Sequence, residues 1–263
     1  MKARVVIVGG GVIGLSVAYH LSRLGWRDVV VVERDHLNAG ASGRCGGGVR
    51  EQWSSAMNID LMRRSIELFR DLAVRTGENI WFRQGGYLFL AKTEEQAASL
   101  ETSVRLQNDH GVPTRLLSKS AVRRRCPYLN TEDVMVGTFN PNDGTLFPFS
   151  VVWAYARAVA DYGNTVMTHT RVTGIEREGD RMIAVQTDKG RIETSFVVNA
   201  AGAWSPEIGN MVGIDLPNHP EKHEAIVTEA LRGFLGPESR PHGLGSVRLA
   251  NDARRNLRVS RRR

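Results

Sequence analysis

The chain has 263 residues, 41% of them hydrophobic and 24% charged. That is enough to bury one large core or two small ones and excludes a disordered or fibrous protein. The formal charge of +7 would suit an acidic partner, but residues 237–263 hold eight arginines against two acids, so the surplus belongs to the tail and the body is near neutral.

The first forty residues read as strand, glycine turn, helix, strand. Val5-Val6-Ile7-Val8 is a continuous β-branched run, as a parallel strand covered on both faces requires. It passes directly into Gly9-Gly10-Gly11-Val12-Ile13-Gly14, with no cleavage pattern of a signal peptide. Leu15, Ala18, Leu21 and Leu24 space one helix face, Gly25 stops it, and Val29–Val32 leads to Glu33. Gly9 permits the tight turn, Gly11 lets backbone N–H groups approach a diphosphate, and Gly14 lets helix and strand pack closely. Val12 and Ile13 open a helix whose positive end faces the phosphates. Glu33 is placed to accept from a ribose 2′-hydroxyl and would repel a 2′-phosphate, which disfavours NADP. Strand, helix and acid in this order favour dinucleotide binding over a structural glycine turn, and leave FAD and NAD open.

The next segment, Ala39-Gly40-Ala41-Ser42-Gly43-Arg44-Cys45-Gly46-Gly47-Gly48-Val49-Arg50, is too glycine-rich to build a core element and suits backbone passing close to a large ligand. A flexible surface loop is the alternative. Together with the glycine turn it resembles the D-amino-acid oxidase-like family of FAD-dependent amine oxidoreductases. That resemblance implies FAD as cofactor and makes Arg34, Ala41, Ser42, Arg44, Gly47, Gly48 and Val49 cofactor contacts, with Arg50 near the flavin.

Farther along, Leu61, Ser65, Leu68 and Leu72 predict a helix over 58–76, residues 81–90 read as strands around Gly85-Gly86, and a long helix is expected over 94–109. A short helix follows Ser118, Asp143-Gly144 is a turn, and Pro148 opens a helix ended by Gly163. Residues 166–169, 171–177 and 182–187 are strand candidates. Phe196-Val197-Val198-Asn199-Ala200-Ala201-Gly202-Ala203-Trp204-Ser205 then runs a buried strand into small residues, which lets backbone lie under a flat ligand. It resembles a late FAD-domain strand of the same family, and adds Ala200, Ala201, Gly202 and Trp204 to the contacts. Val172 matches the family valine whose backbone addresses the adenine.

The resemblance covers residues 4–235 and is nearest to the sarcosine oxidase β-subunit and dye-linked proline dehydrogenase β-subunit branch, on Gly85-Gly86-Tyr87-Leu88-Phe89, Pro127-Tyr128-Leu129 and Asn140-Pro141-x-Asp143-Gly144. Ser150 stands where covalent-FMN members have a histidine, so covalent FMN is not expected. The implied fold is α/β: a Rossmann-type FAD-binding domain (1–79 and 146–214) with an interleaved, incomplete α+β substrate domain (80–145 and 215–236). The implied chemistry is oxidation of a secondary or N-methyl amino acid by hydride transfer to flavin, with oxygen or a dye-linked or quinone acceptor reoxidising it and a possible partner subunit. No catalytic base is named. His219 and His223 have metal-ligand spacing, but Pro220 between them argues against a helix and against a metal.

No run approaches the roughly 20 apolar residues that span a bilayer, and Cys45 and Cys126 lack disulfide or zinc spacing, so a cytoplasmic protein with no membrane span is expected. The aromatic-free tail lacks stacking partners, and no nucleic acid is expected. An NAD-dependent dehydrogenase and an inactive remnant are the competing readings. Residues 237–263 lose apolar periodicity and read as an unstructured, out-of-frame tail of a truncated chain. Codons for residues 249–257 can be chosen so that a one-base shift reads Ser-Gln-Thr-Met-Arg-Gly-Glu-Ile, a family-like strand. Sequencing the gene across this region is expected to show a homologous reading in another frame; an intact frame with none downstream would sink the idea.

Overall fold

A computed structural model describes residues 1–221 except Tyr128. The tail with its arginines, and His223, lie outside the described residues. In chain order the elements are β1 (Val5–Val8), α1 (Val12–Arg23), β2 (Val29–Val32), β3 (Gly48–Val49), α2 (Ala56–Thr76), β4 (Tyr87–Ala91), α3 (Glu94–Asp109), β5 (Arg115–Ser118), α4 (Lys119–Arg125), β6 (Val136–Asn140), β7 (Gly144–Thr145), α5 (Pro148–Asp161), β8 (Thr165–Met167), β9 (Val172–Glu178), β10 (Arg181–Thr187), β11 (Gly190–Glu193), β12 (Val197–Asn199) and α6 (Ser205–Asn210). They fall into two compact units. Among the described residues, the first takes in 1–47, 69–82 and 146–221; the second takes in 48–68 and 83–145.

The first unit is built on a parallel sheet of order β12-β1-β2-β8. Its valine runs are buried because each face has a cover. Val5, Ile7, Val29 and Val31 point into a cluster with Leu15, Ala18 and Tyr19 of α1 and Val151, Val152, Tyr155 and Val159 of α5. Val6, Val8, Val30 and Val32 point the other way, against Val172, Val185 and Ile192 of the antiparallel β9–β10–β11 meander and Ile208 of α6. Alternate residues of one strand thus serve two cores, which is why β1 reads as an unbroken apolar run. The architecture is the expected Rossmann-type α/β fold.

One buried amide ties helix to sheet. Asn164 accepts the Val29 N–H through Oδ1 at 3.0 Å and donates from Nδ2 to Ser22 Oγ at 2.7 Å. Ser22 in turn donates to Ala18 O at 2.7 Å. It does for the start of β2 what a neighbouring strand would otherwise do, and leaves no orphaned backbone donor.

The second unit carries an antiparallel sheet of order β4-β6-β5, packed by α3 and α4, and the small β3–β7 pair. Thr93 and Ser118 cap α3 and α4 through their hydroxyls. Within the expected 81–90 strand region only Tyr87–Ala91 is a strand. Trp81 has φ 54° and Gly86 φ 84°, left-handed values that interrupt an extended chain. β5, β6 and β11 have no counterpart among the expected strands. β5 shows almost no apolar alternation because it is largely exposed, and β6 conceals its burial by burying Thr138 and Asn140.

Replacing Asn164 with Leu is expected to lower stability by about 2 kcal/mol, since the Val29 N–H is left buried and unpaired. Thermal unfolding followed by circular dichroism checks this; an unchanged midpoint would show the amide to be dispensable.

Candidate functional site

In the first unit, three stretches of backbone meet at the end of β1. Gly9 has φ 118°, and a Cβ built there would lie 2.3 Å from Ala200 O; one on Gly14 would lie 2.0 Å from Gly9 O. No side chain fits at either position. Ala200 N–H donates to Val8 O at 2.9 Å, extending the β1–β12 pairing into this turn. Gly11 begins α1 without a side-chain cap, and no acid occupies the helix's first turn. Ser42 reaches over from the glycine-rich loop, its Oγ accepting the Val12 N–H at 3.0 Å. Ile13 is solvent-exposed beside it. The result is a narrow backbone cradle at a positive helix end, the arrangement that receives a diphosphate.

Glu33 closes the cradle at the end of β2. Oε2 accepts Gly10 N–H at 2.7 Å and Oε1 accepts Asp35 N–H at 3.0 Å. Two backbone donors fix the carboxylate, and each oxygen keeps a lone pair for a ribose hydroxyl. Arg34 stacks on the Trp204 ring, 3.9 Å from guanidinium carbon to centroid, with Gly40 against the same ring. Gly202 has φ 58° and begins the short turn that carries Trp204. Gly47, at φ 66°, passes so close to Leu146 O that a Cβ would lie 2.0 Å from it. The unit therefore brings together Gly9, Gly11, Val12, Gly14, Glu33 and Ser42 with Ala200 and Ala201, and Arg34 with Trp204. Ala41 and Arg44 lie exposed on the loop, joined by Arg44 N–H donating to Ala41 O. Val172 sits buried in the core opposite Thr187. The residues fit a dinucleotide: glycines where a Cβ would fill the cradle, a helix start with no acid in its first turn, and an oriented acid at Glu33.

Gly48, Val49 and Arg50 belong to the second unit, where β3 pairs with β7 in the register Gly48↔Thr145 and Val49↔Gly144. A Cβ on Gly48 would lie 2.7 Å from Tyr87 Oη. The Arg50 guanidinium lies over the Trp53 ring at 4.4 Å and near Phe89 at 5.1 Å, and Trp53 Nε1 donates to Arg50 O at 3.0 Å.

Behind Arg50 is a buried polar network around Asp143, which sequence reasoning reads as a turn and as part of a family-like segment, with no role for its side chain. Asp143, fully buried, accepts Glu51 N–H and Asn140 Nδ2 on Oδ1, each at 2.7 Å, and Gln52 Nε2 on Oδ2 at 2.8 Å. Asn140 Nδ2 also donates to Glu51 Oε2 at 3.0 Å, and Thr138 Oγ1 donates to Gln52 Oε1 at 2.7 Å. Burial pushes the Asp143 carboxyl up to about 6; the Glu51 charge adds to the rise, while the hydrogen bonds from Glu51 N–H, Gln52 and Asn140 oppose it. An Asn-Pro-x-Asp-Gly segment following a strand of polar inward positions was the available signal. Among the described residues no cluster of His, Cys, Asp and Glu could hold a metal, and no helix is long and apolar enough to cross a membrane. Cys45 and Cys126 are both free.

The sequence profile of the family described as "DAO: FAD dependent oxidoreductase" matches residues 4–256. The chain belongs to this family. Dimethylglycine dehydrogenase of Rattus norvegicus is 32% identical over 88% of this chain, and sarcosine oxidase subunit beta of Rhizobium meliloti 30% identical over 88%. These matches take in 27% and 57% of those proteins, so the chain spans about a quarter to just over half of its relatives' lengths. The crystal structure of L-proline dehydrogenase from P. horikoshii is 35% identical and superposes with a TM-score of 0.76, over 81% of this chain and 56% of that one.

The network makes stability depend on pH. Asp143 is raised from 3.8 to about 6 in the folded chain, so between those values the folded state holds more proton than the unfolded state. Stability therefore falls as pH rises from about 4 to about 6 and is flat above. Relative to Asp143→Asn, the wild type is expected to lose on the order of 2–3 kcal/mol across that window. Denaturant unfolding of both at pH 4.5 and pH 7.5 checks it; parallel profiles would count against the protonated carboxyl.

Proposed function

We propose that the chain is the FAD-binding part of an oxidoreductase that oxidises the C–N bond of a secondary or N-methyl amino acid, sarcosine-, proline- or glycine-like. The observation that carries the reading is the cradle at Gly9–Gly14, walled by Ala200 and closed by Ser42 and Glu33, in a chain of the FAD-dependent family. Gly11, Ile13 and Gly14 offer backbone N–H groups and helix charge to the diphosphate, Gly9 and Val12 shape the turn with their own N–H groups held by Val32 O and Ser42 Oγ, and Glu33 takes the ribose. Arg34 and Trp204 form a flat, charged wall. Ala41, Ser42, Arg44, Gly47, Gly48, Val49, Ala200, Ala201 and Gly202 line the cofactor, Val172 addresses the adenine through its backbone, and Arg50 serves the flavin end.

The bound flavin supplies the hydride acceptor. The chain's own groups bind, orient and exclude water, and no acid or base of the chain is assigned to the reaction. The relatives' names support the substrate class: dimethylglycine, sarcosine and L-proline are all secondary or tertiary amines bearing a carboxylate. An external acceptor, oxygen or a quinone- or dye-linked carrier, then takes the electrons. A relative named as a β subunit supports a partner subunit for the whole protein.

Purified chain mixed with FAD is expected to retain a yellow chromophore through gel filtration, whereas NAD is not retained; the converse would establish the NAD-dependent alternative. Glu33→Ala is expected to weaken FAD by about tenfold, the loss of one to two charge-assisted hydrogen bonds. Anaerobic addition of sarcosine, dimethylglycine or L-proline to the loaded chain, followed at the flavin band, tests the substrate class: bleaching by none of them would reject it for this chain.

A further inference from the structure

The loop that follows β2 is fastened to the glycine cradle at three points, all within the first unit. A Cβ on Gly10 would lie 2.8 Å from Leu37 Cδ2, so Leu37 lies directly against the glycine turn. Gly40 lies against the Trp204 ring, and the Ser42 hydroxyl accepts the Val12 N–H at 3.0 Å. Between Leu37 and Ser42 the chain curls back on itself: a Cβ on Gly43 would lie 2.2 Å from Asn38 O and 3.0 Å from Asn38 Cβ. The Asn38 side chain therefore starts out against Gly43, next to the serine that closes the cradle.

Asn38 is only 3% exposed, and neither its Oδ1 nor its Nδ2 has a partner. Among the described residues of the first unit, it is the one side chain that buries unpaired polar atoms. Its backbone is left-handed, with φ 69°. Asparagine tolerates that conformation where its side chain bonds to local backbone, but here it makes no such bond, and glycine would serve the same backbone without burying an amide. An amide taken out of water with both ends unpaired costs free energy that the loop by itself does not recover. What completes it must accept from Nδ2 and donate to Oδ1. A phosphate oxygen beside a sugar hydroxyl has that pairing, and the adjoining helix end and glycine turn suit the same chemical group.

We propose that the Asn38 amide is a binding residue for the sugar–diphosphate part of the dinucleotide, donating from Nδ2 to a phosphate oxygen and accepting a sugar hydroxyl at Oδ1. The inference rests on the reading of the Gly9–Gly14 cradle as the FAD site. In the free chain the same amide is a cost to stability, which the ligand removes.

Calorimetric titration of the full chain with FAD and with ADP, which carries the sugar–diphosphate part without the flavin, tests this alongside thermal unfolding of the free chain. Asn38→Gly keeps the left-handed backbone and deletes the amide. It is expected to weaken FAD and ADP alike by about tenfold, while the unfolding midpoint of the free chain does not fall. Asn38→Asp keeps the shape but turns the donor into a charged acceptor beside the diphosphate, and is expected to weaken both ligands further. A lower midpoint for the free Asn38→Gly chain, whatever its Kd, would show that the amide is already paired through a buried water and would overturn the proposal. So would unchanged Kd values in both variants, or a loss seen with FAD and not with ADP. Each of these outcomes leaves the FAD reading intact, whereas a wild-type chain that binds no FAD would overturn both.

Discussion

The first unit depends on one close approach. Ala200, arriving from the far end of the described chain, lays its carbonyl where a Gly9 side chain would begin, and Gly14 presses its α-carbon against Gly9 O. With any larger residue at position 9 or 14, the turn between β1 and α1 would open, and β12 could no longer continue its pairing with β1 through the Ala200 N–H. The same contact sets the site. It brings the small residues 200–202 beside the start of α1, where no acid occupies the first turn and the helix presents its positive end. Fold and glycine-lined cradle are thus consequences of a single steric requirement, and Glu33 and Ser42 add the polar closure to it.

The second unit reaches rigidity by the opposite route. There the backbone is held by polar side chains taken out of water: Asp143, Asn140, Gln52, Glu51 and Thr138 satisfy one another inside the domain. Such a network is costly unless complete, and it defines one arrangement where an apolar core would tolerate several. A carboxyl raised to about 6 ties the stability of that arrangement to pH, whereas the Gly9 and Gly14 contacts of the first unit are backbone against backbone.

The chain belongs to the FAD-dependent family, and the names of its relatives spread over dimethylglycine, sarcosine and L-proline. The cradle is made mainly of backbone and glycine, which are indifferent to the substrate. Discrimination among small amino acids needs side chains arranged around the reacting carbon, and the relatives carry much additional chain beyond the matched part.

What the amino-acid order alone determined is whatever rests on local sterics and short spacing. The valine run of β1, the glycines at 9, 11 and 14, Glu33 after β2 and the small residues at 200–202 were legible because each follows from what neighbouring backbone allows. The strands β5 and β6 were not, since β5 is too exposed to alternate and β6 buries polar groups that read as surface. Nor was the role of Asp143. Its partners Glu51 and Gln52 lie about ninety residues away along the chain, and only tertiary folding removes water from that acid and surrounds it with donors. Close backbone contact leaves a signature in residue size, whereas a long-range hydrogen-bond network leaves none until its members are brought together.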